Sequence, residues 1–148
     1  MPRLLVVHHT PSPAMQAVLE AVREGAAMVE EVELEVRPAL SAGAADLLAA
    51  DGVLLGTPAN IGYMSGALKH FFDTVYYPSL DHVAGRPYGV WVHGNNDTVG
   101  AANAVDKVAT GLDLHKAADV LEVIGTIDAS VRERAYELGG TLAATLME

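Results

Sequence analysis

Short uninterrupted apolar runs alternate along this chain with segments whose apolar residues recur every three or four positions. Leu4-Leu5-Val6-Val7 lies in a strand predicted over about 3–8. Met15, Val18, Leu19 and Val22 then recur at helical spacing over about 13–26. Val32, Leu34 and Val36 alternate with Glu33, Glu35 and Arg37, the period-two pattern of a strand near 32–37 with one wet face, as at a sheet edge. The same reading predicts a short helix near 42–50, a strand over 52–57, a helix over 65–74 and a longer connection over 75–86. It continues with a strand near 87–93, a turn over 94–98, a helix over about 99–111, a strand near 118–124 and a last helix over about 127–146, started near Asp128. Strands alternating with helices in this way fold as a parallel sheet covered by helices on both faces, an α/β class. No internal repeat or low-complexity run interrupts the pattern, and a single domain over 1–148 is expected.

Three loops at the carboxyl ends of strands carry the candidate chemistry, because open α/β sheets bind ligands there. The first is His8-His9-Thr10-Pro11-Ser12-Pro13-Ala14-Met15. Ser12 is a good N-cap, and Pro13 suits the first helical position, where its missing N–H costs nothing. A helix start with free N–H groups is an anion site that needs no Lys or Arg, and Thr10 and Ser12 would add hydroxyls. Pro11 and Pro13 remove two N–H donors, so an ordinary well-capped helix start stands as the alternative. The second loop follows the buried run Val53-Leu54-Leu55. Gly56-Thr57-Pro58 ends the strand, Asn60, Ile61, Gly62, Tyr63 and Met64 form an apolar loop suited to a flat apolar ligand, and Ser65 caps a helix carrying Leu68, Phe71 and Phe72. The third, His93-Gly94-Asn95-Asn96-Asp97-Thr98, combines a glycine that permits close approach with two asparagines that tolerate left-handed turns.

The segment from Gly56-Thr57-Pro58 through Gly62, Met64-Ser65-Gly66 and on to Asp73 resembles the flavin-ring loop of flavodoxin-like quinone reductases. The whole chain is similar to the superfamily of flavodoxins, NAD(P)H:quinone oxidoreductases and NADPH-dependent FMN reductases. That resemblance implies a flavodoxin-like three-layer sandwich, with a five-stranded parallel sheet in the order 2-1-3-4-5 and FMN at the switch point. It implies cofactor contacts from Thr10, Ser12, Ala14 and Met15 to the phosphate, with Thr10 matching the family's phosphate-loop serine. Thr57, Pro58, Ala59, Asn60, Ile61 and Gly62 would lie along the isoalloxazine, and His93, Gly94, Asn95 and Asn96 would cradle its pyrimidine end. NAD(P)H would be a transient co-substrate and a quinone or similar acceptor would take the electrons. A one-electron carrier of the flavodoxin type, or a fold relative that has lost FMN, are the alternatives.

Composition narrows the chemistry further. The chain is 51% hydrophobic and 19% charged, and its 9 Lys and Arg against 19 Asp and Glu leave a formal charge of −10. Such a surface repels nucleic acid backbones and anionic membranes. The chain has no cysteine, which excludes disulfides, thiolate nucleophiles and Cys-ligated metals. The six histidines show no chelating spacing, so no metal site is expected. Leu4–Val7 is too short for a signal peptide, and a cytoplasmic protein is expected. The apolar residues Tyr63, Met64, Tyr76, Tyr77 and Trp91 suggest a self-association surface and a possible homodimer. No catalytic side chain is assigned, although His9 and His93 fall at strand ends where they could approach a flavin or quinone.

Overall fold

Neighbouring residues of the first strand enter different cores. Leu4 and Val6 join a cluster with Met15, Val18, Trp91 and Leu142, whereas Leu5 and Val7 join Leu55, Phe71, Val90 and Val105. This is the period-two alternation of a strand covered on both faces. The computed structural model describes residues 1–148. Its elements in chain order are β1 (Arg3–His8), α1 (Pro13–Ala27), β2 (Glu33–Pro38), α2 (Ala44–Ala49), β3 (Gly52–Asn60), β4 (Tyr63–Met64), α3 (Gly66–Ser79), β5 (Pro87–Gly94), α4 (Val99–Gly111), β6 (His115–Lys116), β7 (Leu121–Ile124) and α5 (Ala129–Thr145).

The sheet runs β2-β1-β3-β5, with β6 and β7 both pairing in parallel along the outer side of β5. Taken as one interrupted edge strand, β6 and β7 complete the expected 2-1-3-4-5 order of a flavodoxin-like fold. The interruption departs from the continuous strand expected near 118–124. Tyr88 pairs with Lys116 and Trp91 with Leu121, so residues 117–120 bulge opposite only two residues of β5.

Two further boundaries differ from the sequence reading. β3 does not stop at Thr57 but continues to Asn60 and turns into β4, which makes a short antiparallel hairpin of the apolar loop. Pro58 is tolerated there for a geometric reason. Gly56 O accepts the N–H of His9 on the β1 side, and Pro58 faces that same side two residues later, beyond the end of β1. α3 continues past residue 74 to Ser79 because Val75 extends its buried stripe; Pro78 stands in the last turn, where its missing N–H gives up a single helical bond. Among the residues read as a self-association surface, Trp91 and Met64 are core residues, while Tyr63 and Tyr77 are exposed.

α1 and α5 pack backbone to backbone on one face of the sheet. A Cβ added at Gly139 would lie 2.0 Å from Val22 O, and one at Gly25 would lie 1.9 Å from Tyr136 O. Gly139→Ala is therefore expected to lower the stability of the folded chain by about 1–3 kcal/mol, the usual cost of forcing a core apart. Gly66→Ala, where a Cβ meets nothing within 4 Å, should stay within about 0.5 kcal/mol of the parent. Urea unfolding midpoints measure both; equal midpoints for the two variants would contradict the close helix contact.

Candidate functional site

The helix start that the first loop needs is built by Ser12. Its backbone is extended, its Oγ accepts the N–H of Met15 at 3.2 Å, and its carbonyl accepts that of Gln16 at 3.0 Å. Pro13 occupies the first helical position. The N–H groups of Ser12 and Ala14 find no acceptor in the protein, so they remain available at the positive end of α1. Met15 does not belong with them, since its N–H is spent on Ser12 and its side chain is buried in the core. Thr10 is turned aside as well. Its Oγ1 lies 2.7 Å from His8 Nδ1, and both residues border a separate hollow of about 260 Å³ with His9, Gln16 and Leu40. Burial, then the charge of Arg23 and the neighbouring His9, push the His8 pKa below the ordinary histidine value and favour the neutral ring.

The second loop is held from beneath. Thr57 is fully buried; its hydroxyl donates to Pro58 O at 2.8 Å and accepts the N–H of Ser65 at 2.9 Å. It braces the start of α3 rather than facing a ligand. Ser65 in turn accepts the N–H of Leu68 at 3.2 Å and so caps that helix. At the hairpin tip, Ile61 and Gly62 both have positive φ, 50° and 71°, as a two-residue primed turn demands. A β-branched residue is strained in that region, yet Ile61 holds it with a fully exposed side chain. α4 fixes the hairpin from the side, because a Cβ on Gly100 would fall 2.0 Å from Gly62 O. Gly56 serves packing: the indole of the fully buried Trp91 lies where its side chain would be, with Cζ2 2.0 Å from an added Cβ.

The third loop sits against the second. A Cβ on Gly94 would meet Ala59 Cβ at 3.2 Å, and Gly94 O accepts the N–H of Gly125 at 2.9 Å. His93 Nε2 lies 2.7 Å from Gly125 O. Asn95 and Asn96 are exposed with free backbone N–H groups. Thr98 is buried and donates to Glu122 at 2.9 Å.

A cavity of about 330 Å³ opens where the three loops meet, lined by Pro11, Ser12, Pro13, Ala14, Pro58, Ala59, Asn60, His93, Gly94 and Asn95. The structure thus gathers eight of the residues read from the sequence. It leaves Thr10, Met15, Thr57, Ile61, Gly62 and Asn96 outside the lining. No Lys or Arg borders the cavity. A groove of similar volume, about 340 Å³, runs between the 118–121 segment and α5, but it draws on no strand-end loop. Gly125, which anchors both His93 and Gly94, escaped the sequence reading; a lone glycine after a strand was its only signal. No group of three or more His, Cys, Asp or Glu side chains is arranged to hold a metal ion, and no helix is long and apolar enough to cross a membrane.

An open parallel sheet of this order, with its ligand-sized cavity at the carboxyl edge, defines a flavodoxin-like protein. The chain belongs to the NADPH-dependent FMN reductase family, whose model matches residues 14–128. It is 36% identical over 101 residues to a flavodoxin of Aquifex aeolicus, covering 64% of this chain and 55% of that one. It is 29% identical over 93 residues to an NAD(P)H dehydrogenase (quinone) of Acidithiobacillus ferrooxidans, covering 49% of this chain and 46% of that one. The chain therefore spans about half the length of these relatives. Among solved structures, a flavodoxin from the domain Archaea superimposes with a TM-score of 0.86 at 16% identity, over 99% of both chains. A WrbA-like flavodoxin from Agrobacterium tumefaciens does so with a TM-score of 0.79 at 19% identity, over 99% of this chain and 98% of that one. The name of the family couples FMN with NADPH.

The donor set suits such a cofactor. Unpaired N–H groups at a helix start match a phosphate, and the unpaired N–H group of Asn95 suits the polar edge of a flat ring. Because Thr57 braces the second loop, Thr57→Val should cost about 1–3 kcal/mol by leaving the Ser65 N–H buried without a partner. Thermal unfolding of the flavin-free chain measures it, and an unchanged midpoint would contradict the bracing role.

Proposed function

We propose that the three-loop cavity binds FMN, and that the protein passes electrons from NAD(P)H to a quinone or similar acceptor. The observation that carries this reading is the meeting of the three strand-end loops around one cavity that offers the unpaired N–H groups of Ser12, Ala14 and Asn95 beside the side-chain amides of Asn60 and Asn95. When bound, the flavin supplies the hydride and electron transfer itself. The residues of the chain bind and orient it. The N–H groups of Ser12 and Ala14 and the Ser12 hydroxyl would take the phosphate. Pro58, Ala59 and Asn60 on one side and His93, Gly94 and Asn95 on the other would hold the ring. The exposed Ile61 and Tyr63 would border the route by which a flat acceptor approaches. They are also the positions on which we would place a homodimer contact. With no Lys or Arg in the lining and a formal charge of −10, the surroundings disfavour added negative charge on the ring and lower its potential relative to free FMN.

A second reading, a one-electron carrier, is supported by the 36% identity to a flavodoxin. Steady-state assays of the FMN-loaded chain separate the two. The reductase reading expects NAD(P)H oxidation that depends on added benzoquinone, with one hydroquinone formed per NAD(P)H consumed. No NAD(P)H oxidation, together with electron transfer from the dithionite-reduced protein to cytochrome c, would establish the carrier instead.

A further inference from the structure

The hollow beside the candidate site, about 260 Å³, has a chemistry of its own. No Lys, Arg, Asp or Glu lines it, although the chain carries a formal charge of −10. Its volume suits one flat ring rather than a whole drug-sized ligand, which takes about 300–1,000 Å³. Two of its polar side chains satisfy each other. His8 Nδ1 and Thr10 Oγ1 lie 2.7 Å apart, and the His8 ring is held neutral, chiefly by burial.

The other two polar side chains are left open. Gln16 donates its amide nitrogen to Glu20 Oε1 at 3.1 Å. A carboxylate only accepts, so the free end of Gln16 is its oxygen, an acceptor. Neither ring nitrogen of His9 has a partner in the protein, and its Nδ1 is shut away from solvent. One of those nitrogens carries a hydrogen, so His9 has a donor to give. A donor and an acceptor in one neutral hollow match the edge of adenine, which sets a ring-nitrogen acceptor beside an exocyclic amine donor. Leu40 and Ala67 add apolar wall, and 67% of the Leu40 surface is exposed, which a flat ring laid on it would cover.

The hollow adjoins the three-loop cavity. Thr10 lines the one and Pro11 the other, and consecutive Cα atoms are about 3.8 Å apart. Gln16 and Ala14, both in the first turn of α1, divide in the same way. The two spaces therefore meet at the end of the cavity assigned to the phosphate, away from the end assigned to the ring. A pyridine dinucleotide carries its adenine far from its nicotinamide, so it can reach from one space into the other. The first turn of α3 borders the hollow at Ala67, and its positive end favours the pyrophosphate between the two halves. We infer that the hollow seats the adenine of NAD(P)H, with Gln16 accepting from the exocyclic amine, His9 donating to a ring nitrogen and Leu40 covering the flat face. The inference rests on the FMN reading given above, since the nicotinamide needs a flavin to reduce.

Adenosine is the first probe, because it carries adenine without phosphate and the hollow needs no flavin to receive it. In amide NMR spectra of the flavin-free full chain, millimolar adenosine should shift His9, Thr10, Gln16, Leu40 and Ala67 saturably and leave Asn60, Gly94 and Asn95 in place. Gln16→Leu and Leu40→Ala, both at exposed positions, should weaken those shifts without moving the thermal unfolding midpoint. Kinetics of the FMN-loaded chain then identify the ligand that uses the hollow. For the parent, reduced nicotinamide mononucleotide, which lacks the adenine, should show a KM about tenfold above that of NADH, a difference of about 1.4 kcal/mol. In both variants that ratio should fall toward one. No saturable shift in the hollow, or shifts at Asn60 and Asn95 instead, would overturn the adenine site. Shifts in the hollow with an unchanged KM ratio in the variants would overturn the assignment to NAD(P)H and leave a site for a free adenine nucleotide. Failure to bind FMN while adenosine still shifts the hollow would overturn the FMN reading and the donor role with it, but not the adenine site.

Discussion

β1, β3 and β5 run in the same direction, so the chain leaves all three at one edge of the sheet. Everything at the candidate site depends on that shared polarity. His8 pairs with Gly56 and Gly56 with Trp91, which sets the three exits side by side. The spacing beneath them is filled by one indole. Trp91 lies over Gly56 with no room for a Cβ between them, and its Nε1 is buried without an acceptor. An exchange at either position would be felt at the floor of the cavity, through packing alone.

Above that floor, the loops are held by contacts that spend their side chains on the protein itself. Thr57 braces Ser65, Ser12 and Ser65 cap helices, Thr98 reaches Glu122, and His93 and Gly94 both close on Gly125. What remains for a ligand is backbone N–H groups, the amides of Asn60 and Asn95 and apolar surface. A cofactor with an anionic end and a flat ring fits that remainder better than a substrate needing a fixed acid, base or nucleophile. The one place where the chain accepts strain is the hairpin tip, where Ile61 stands in a left-handed conformation usually given to Asn or Gly. An apolar side chain held outward at that cost is consistent with a surface that meets other molecules.

Much of this was legible in the linear pattern, for physical reasons that differ from place to place. The doubly covered strands announced themselves as apolar runs, and the caps Ser12, Ser65 and Asp128 stood where helical periodicity began. The limits of β3 and α3 were hidden by prolines. Pro58 and Pro78 read as terminators, yet Pro58 falls where its missing N–H costs little and α3 runs through Pro78 to bury its apolar stripe, facts set by the neighbouring strand and the core rather than by local sequence. The split of the last strand left no mark, because Ala117, Ala118, Asp119 and Val120 carry no turn signal. Of the candidate site, the three loops were identifiable, but the direction of each side chain was not. Thr10 and Thr57 have the right chemistry for a cofactor and are turned to protein partners; Gly125 is remote in sequence and meets the loop only through the fold.

The central claim is that this cavity holds a flavin by its phosphate end without a fixed cation. Equilibrium titration of the flavin-free chain with FMN and with riboflavin at neutral pH, followed by flavin fluorescence, tests it most directly. The account predicts saturable quenching by FMN, at least tenfold tighter than by riboflavin, the difference expected when about 1.4 kcal/mol or more comes from the phosphate. Equal affinity for the two, or no quenching by either, would contradict it.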